Sequence, residues 1–281
     1  MPGPLRSTGL QLRTAKRLLL GKRAPLRVRL GRLDDRLVFV LGSPRSGTTF
    51  LAGAIGSLPG FIDLGEVAAL KATIPKLAQL PPEDAAPELR SLLGRARRLG
   101  LVGSLRAVEQ TPESVFVAPA LASAFPEARF VHIVRDGRDV VCSLLERGWL
   151  SADRRGEDDA GHEYGPEARF WVEPERADEF VRVGDARRAA WAWRRYVTAA
   201  RALDERALEI RYERLGARPN EVAGVVARFL DAPLDPLQEA FRAAHADSVG
   251  RWQNDLSGED VADVEAEAGD LLADLGYLHP V

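Results

Sequence analysis

Cysteine is almost missing: Cys142 is the only one in 281 residues. No intrachain disulfide can form, so nothing argues for an oxidising compartment. Long hydrophobic runs are missing too. The longest early one, Leu18-Leu19-Leu20, is too short for a signal-peptide core or a membrane span. A cytoplasmic location is the resulting expectation. Histidine is scarce, and the four scattered residues show no ligand spacing with the lone cysteine, so no metal is expected. Net charge is nearly absent, at −2, which removes the case for general nucleic-acid binding. Lysine supplies only four of the 39 basic residues: Lys16, Lys22, Lys71 and Lys76. No internal repeat is visible.

What remains is ordinary for a globular chain: 46% hydrophobic and 28% charged residues, enough for one large domain or two small ones. The charge is unevenly spread. Nine Lys or Arg residues precede the first acid, Asp34, and from Trp252 onward there are eight acids and no Lys or Arg. Residues 1–35 therefore read as a basic arm, either solvated and flexible or in peripheral contact with an anionic membrane surface or partner.

Apolar runs at 37–41, 61–64, 129–134 and 208–212 read as strands. Helical patterns alternate with them. One follows Phe50; another covers 68–100, broken at Pro75 and at Pro81-Pro82. Others start near Val140 and span 185–206 and 220–230, and a last one is capped by Ser257 with Asp260 three residues on. Alternation of this kind predicts an α/β fold with a largely parallel sheet flanked by helices. Residues 151–184 lack periodicity and read as a long loop. Ligands in such sheets bind at the carboxyl ends of the strands. The unusual residues gather at those ends: Ser43 to Thr49, Glu66, Arg135 to Asp139, and Tyr212.

The segment GSPRSGTT, residues 42–49, follows the first strand. It is close to a Walker A loop, but Thr48 stands at the lysine position and a cation, Arg45, lies inside the loop. Backbone N–H groups around Ser46, Gly47, Thr48 and Thr49 at a helix start make an anion site. The hydroxyls and the planar Arg45 fork suit a phosphate or a sulfate. The plainer reading is a tight strand-to-helix turn. A second motif has Arg135 at a strand end and Ser143 eight residues later, where both can face one anion. The plainer reading there is an arginine paired with Asp136 or Asp139.

Together these motifs resemble the family of sulfotransferases that use 3′-phosphoadenosine 5′-phosphosulfate (PAPS). GSPRSGTTFL is similar to that family's phosphosulfate loop, and RFVHIVRDGRDVVCS to its 3′-phosphate motif. EIRYERLGARP and VGRWQNDLS resemble two later segments, in the family's order. An arginine in the loop resembles the tyrosylprotein and many bacterial members. The resemblance, running from about residue 37 to the C-terminus, implies a P-loop-like sulfotransferase fold in one domain over 36–281. It implies PAPS as donor, a hydroxyl acceptor and no metal. It assigns the phosphosulfate to Arg45, Ser46, Gly47, Thr48 and Thr49. Arg45 would also stabilise charge on the bridging oxygen. Arg135 and Ser143 would take the 3′-phosphate, and Tyr212 the adenine, with Trp252 either nearby or in the core.

Transfer to an alcohol needs a base. Cytosolic members use a His before the second motif, where this chain has Val108-Glu109-Gln110-Thr111-Pro112. Related enzymes use a Glu in a Gly-Glu segment, matched by Gly65-Glu66. Glu66 is the first candidate, Glu109 the second, His162 a distant third; His132 reads as a satisfied core residue. Each carboxylate has a plainer reading as a structural partner of a loop arginine. A family Arg-Lys-Gly before the Gly-x-Trp segment is replaced by His245-Ala246-Asp247, leaving Arg251 as a substitute cation. Two rivals are a P-loop-type nucleotide kinase, which should carry Lys at 48, and a non-catalytic adenosine-bisphosphate-binding protein. The acceptor stays open among small-molecule, carbohydrate and lipid-linked hydroxyls.

Overall fold

The structure, a computed structural model, describes residues 36–98, 105–150, 172–244 and 246–278. Five strands form one sheet: β1 (Leu37–Leu41), β2 (Phe61–Gly65), β3 (Arg106–Glu109), β4 (Arg129–Val134) and β5 (Ala207–Arg211). Their order is β2-β3-β1-β4-β5, and each neighbouring pair is parallel. The parallel α/β expectation is met. All carboxyl ends therefore meet along one edge, where the connecting loops collect their polar residues.

β1 is buried along its whole length, and alternation splits it between two cores. Leu37, Phe39 and Leu41 join one cluster; Val38 and Val40 join the other. On the first face lie α2 (Ala68–Leu77), α3 (Pro82–Arg98), α4 (Ala118–Ala124), α5 (Gly137–Arg147), α7 (Asp185–Arg201) and α12 (Gly258–Asp274). On the second lie α1 (Thr48–Gly56), α9 (Pro219–Leu230) and α10 (Leu234–Phe241). A strand covered on both faces must be apolar at every position, hence the unbroken LVFVL. Phe39 stacks on Phe130 of β4 with centroids 5.1 Å apart, worth about 1 kcal/mol beyond the area buried.

Several boundaries differ from the sequence expectation. β3 was not expected; its four residues carry charge at both ends, leaving only Ala107 and Val108 as an apolar signal. It slots between β2 and β1. Pro75 does not break its helix, which runs on to Leu77, with Ala78 N–H donating to the Ile74 carbonyl at 2.8 Å. Pro81-Pro82 does mark a boundary, and Pro82 opens α3. α7 stops at Arg201, short of 206. β5 ends at Arg211, and Tyr212 begins α8 (Tyr212–Ala217). The end of the expected long loop holds a 3-10 turn, Pro174–Arg176, and α6 (Ala177–Phe180). The basic arm, residues 151–171 with His162, and His245 lie outside the described residues. The Ser257–Asp260 capping box is formed in both directions.

Candidate active site

The loop after β1 turns tightly. Ser46 N–H donates to the Ser43 carbonyl at 3.1 Å. Arg45 adopts φ 70° and Gly47 φ 95°, both left-handed. A side chain costs energy there, and Gly47 has a second constraint: an added Cβ would lie 2.8 Å from Tyr212 Cδ2. α1 starts at Thr48 with no side-chain cap. The first-turn amides of a helix lack intrahelical acceptors and suit an anion. Beside them the Ser46 hydroxyl is fully buried, with no hydrogen-bond partner among the described residues.

The second corner is built by β4 and α5. Asp136 caps α5 by accepting the Arg138 amide at 3.0 Å. Trp193, buried on α7, holds the turn: its Nε1 donates to the Arg135 carbonyl at 3.1 Å. Its ring leaves no room for a side chain at Gly137. Arg135 is 6% exposed and aims inward. It donates to the carbonyls of Arg45 (3.2 Å) and Ser248, lies 4.6 Å from the Tyr212 ring centroid, and stands 3.9 Å from Asp139. The plainer pairing foreseen for Arg135 is thus present with Asp139, while Asp136 pairs with Arg138. Even so, Arg135 Nε has no hydrogen-bond partner among the described residues.

The two corners touch. Arg45 Nε donates to Ser143 Oγ at 2.8 Å, across 98 residues of sequence. Trp149 lies near the same guanidinium, 5.6 Å from centroid to Cζ. Tyr212 packs on Gly47 and Arg135 and shares a 3.2 Å hydrogen bond with Ser248. The late Gly-x-Trp segment is clipped here by Asp139, which accepts from the amides of Gly250 (2.8 Å) and Trp252 (3.1 Å). Burial pushes the Asp139 carboxyl up; those two amides and Arg135 pull against it. Trp252 lies under Arg138, 3.8 Å from its ring centroid, rather than in the core. Arg251 is turned toward Glu146 and Asp255, so its charge is already matched by two carboxylates.

A third group sits at the ends of β2 and β3. Glu66 follows β2 and is 22% exposed; Lys71 of α2 reaches it at 2.7 Å. Glu109 ends β3 and is fully buried, accepting from Thr111 N–H (2.7 Å) and Ser114 Oγ (3.0 Å). Burial above all pushes its carboxyl up to about 7, against the Thr111 and Ser114 hydrogen bonds; the nearby Glu66 adds to the rise. Gln110, next in line, accepts from Thr49 Oγ1 at 3.4 Å and so joins this group to the β1 loop. His132 is buried as expected: Nδ1 lies 3.3 Å from Glu209, while Nε2 has no hydrogen-bond partner among the described residues.

Sequence reasoning gave no site role to Lys71, Trp193 or Gln110, and foresaw Asp139 as a partner of Arg135 but not as the clip on Gly250 and Trp252. Lys71 carried a signal: it falls among Leu70, Ile74 and Leu77, the buried positions of α2. Among the described residues no group of three or more His, Cys, Asp or Glu is placed to hold a metal ion. None of their helices is long and apolar enough to cross a membrane.

A family model described as the sulfotransferase family matches residues 84–236, more than half of the chain. The match takes in Glu109, Arg135, Ser143 and Tyr212 and begins after the β1 loop. Among solved structures, the sulfotransferase domain from the curacin biosynthetic pathway is 16% identical, with a TM-score of 0.55, covering 86% of this chain and 98% of that one. The sulfotransferase domain of the Synechococcus PCC 7002 olefin synthase is 16% identical, with TM-score 0.54 and coverage of 87% and 95%. A mouse sulfotransferase complexed with PAP is 13% identical, with TM-score 0.52 and coverage of 90% and 92%. At such identities the likeness is one of fold. No curated protein sequence matches the chain.

Proposed function

Because the chain belongs to the sulfotransferase family, we propose that its sulfuryl donor is PAPS and its acceptor a hydroxyl group on a small-molecule, carbohydrate or lipid-linked substrate. The observation that carries this reading is the meeting of Arg45, Ser46, Arg135, Ser143 and Tyr212 at the ends of β1, β4 and β5. Two buried donors there, Ser46 Oγ and Arg135 Nε, have no acceptor among the described residues. Buried donors of that kind favour an anionic ligand. The mouse relative's complex with PAP, the desulfated donor, supports the same choice.

In this reading the loop amides, Ser46, Thr48 and Thr49 hold the phosphosulfate. Arg135 and Ser143 hold the 3′-phosphate, and Tyr212 flanks the adenine. Arg251, tied to Glu146 and Asp255, serves at most as a more distant cation for that corner. The acceptor oxygen forms its bond to sulfur as the bond from sulfur to the bridging oxygen breaks. The leaving adenosine 3′,5′-bisphosphate keeps the electron pair, and Arg45 offsets its charge. Glu66, at a strand end and partly exposed, takes the acceptor proton. Glu109, sealed behind it, does not touch the substrate. Residues 36–281 act as one domain, and the lone cysteine supports a cytoplasmic location.

Calorimetric titration with adenosine 3′,5′-bisphosphate, ATP–Mg²⁺ and 5′-AMP, on wild type and Arg135→Ala, tests the donor. Tight binding of the bisphosphate alone, lost with Arg135, is the expected result. Equal binding of ATP–Mg²⁺ with no preference for a 3′-phosphate overturns it and favours a kinase-like protein.

A further inference from the structure

We propose that Lys71 is a positioning residue for the transfer, its ammonium fixing the Glu66 carboxylate in charge and direction while Glu113 sets how much of that ammonium Glu66 receives. This rests on the reading of Glu66 as the base.

Buried ammonium groups are rare without a reason. In a chain that writes nearly all its cations as arginine, the described lysines are Lys71 and Lys76. Lys76 is 71% exposed, whereas the Lys71 side chain is 3% exposed and stands on the apolar face of α2. Its ammonium lies 2.7 Å from Glu66 Oε2 and 3.7 Å from Glu113 Oε2, a residue itself 2% exposed. Glu113 is held from the far side by Tyr196 Oη of α7 at 3.2 Å. Beyond Glu66, on β3, stands Glu109. The residue after Glu66 is pinned as well, since Val67 N–H donates to Thr111 Oγ1 at 3.0 Å.

The chemistry follows from the geometry. Lys71 contacts Oε2 of Glu66 at 2.7 Å, and that contact fixes the direction in which the carboxylate faces. A compact ammonium with three donors can serve both carboxylates at once. The ammonium keeps Glu66 ionised, ready to receive a proton, at some loss of basicity. Glu113 competes for the same ammonium and limits that loss. The transferred proton moves from acceptor oxygen to Glu66, and no further reactant is needed.

Two substitutions act in opposite directions. Lys71→Met keeps the apolar stem and removes the charge. An ionised carboxylate that loses a contacting cation is protonated more easily, so the acid limb of the kcat/KM profile moves up by about one pH unit. Glu113→Gln keeps the Tyr196 hydrogen bond and removes one competing carboxylate from Lys71, so the acid limb moves down. In Lys71→Met, kcat also falls about tenfold or more from lost orientation, with adenosine-bisphosphate affinity unchanged.

A purely structural role lowers kcat in both variants and leaves both limbs in place; that result overturns the proposal. If Lys71→Met does not fold, Glu113→Gln decides alone, and a limb that stays or rises is refutation. Glu66→Gln separates the two claims. Full turnover in that variant removes the base itself. Lost turnover with unmoved limbs in the other two removes only the role of Lys71.

Discussion

Glu109→Gln should make the protein more stable at pH 8 and hardly change it at pH 5. Glu109 has no exposure, and burial raises its carboxyl from 4.5 to about 7. Between those values the folded chain keeps a proton that the unfolded chain has lost. Stability is therefore full below pH 4.5, declines as pH rises, and has lost its whole contribution above pH 7. Multiplying the shift by about 1.4 kcal/mol per unit gives a loss of about 3 kcal/mol. Gln keeps the shape and both partners: its oxygen accepts the Thr111 amide, and its –NH₂ donates to Ser114 Oγ. It carries no charge to desolvate. Unfolding by urea or heat, at four pH values from 5 to 8, reads the difference. The variant's midpoint at pH 8 should exceed that of wild type by roughly 6–10 °C. A wild-type midpoint flat across this range, or a variant equally destabilised at every pH, refutes the reasoning. Turnover of the same variant ranks the two candidate bases. Activity near wild type in Glu109→Gln, with collapse in Glu66→Gln, is expected; the reverse moves the base to Glu109.

Gly47→Ala should weaken adenosine-bisphosphate binding about tenfold or more by calorimetry. The residue's φ of 95° and the Tyr212 ring 2.8 Å from the new Cβ force either the loop or the Tyr212 ring to shift, and the left-handed backbone alone costs about 1–2 kcal/mol. Glu209→Gln should flatten the acid side of the stability curve. His132 first, then Arg201, holds the Glu209 carboxyl down to about 2, below its ordinary 4.5. Its contribution is present above pH 4.5 and lost as pH falls toward 2, so wild-type urea midpoints drop through that window more steeply than the variant's.

The legible parts of the fold were those written in local pattern. LVFVL and RFVHIV announce buried parallel strands by composition alone, and Ser257 with Asp260 announces a capped helix. β3 escaped because four residues with charged ends give no period to read. The anion loop was legible because its glycines, hydroxyls and arginine are contiguous. What holds it was not: Arg45 meets Ser143 across 98 positions, and Asp139 grips Gly250 and Trp252 across 111 and 113. Such contacts follow from strand order, which no local window contains. His132 shows the limit on the other side. Its apolar neighbours correctly signalled burial, but not that Glu209 one strand away would meet its Nδ1.

Those long-range contacts bear on donor choice. Arg45 is used twice: its side chain bonds Ser143, and its backbone carbonyl accepts from Arg135. The left-handed turn at Arg45 and Gly47 thus has both corners of the site as its supports. Asp139 ties Arg135 to the Gly250–Trp252 turn, and Trp193 fixes the carbonyl of Arg135 itself. In the proposed reading, an anion beside Arg135 and Ser143 therefore acts on groups that also shape the loop after β1. A nucleotide without a 3′-phosphate loses direct contacts and, in addition, the ordering they transmit to the loop, so selectivity should exceed the worth of one ion pair. A lysine at position 45 would lack the fork needed to bond Ser143 through Nε while presenting its outer nitrogens to the donor. That is a physical reason for the arginine at this position.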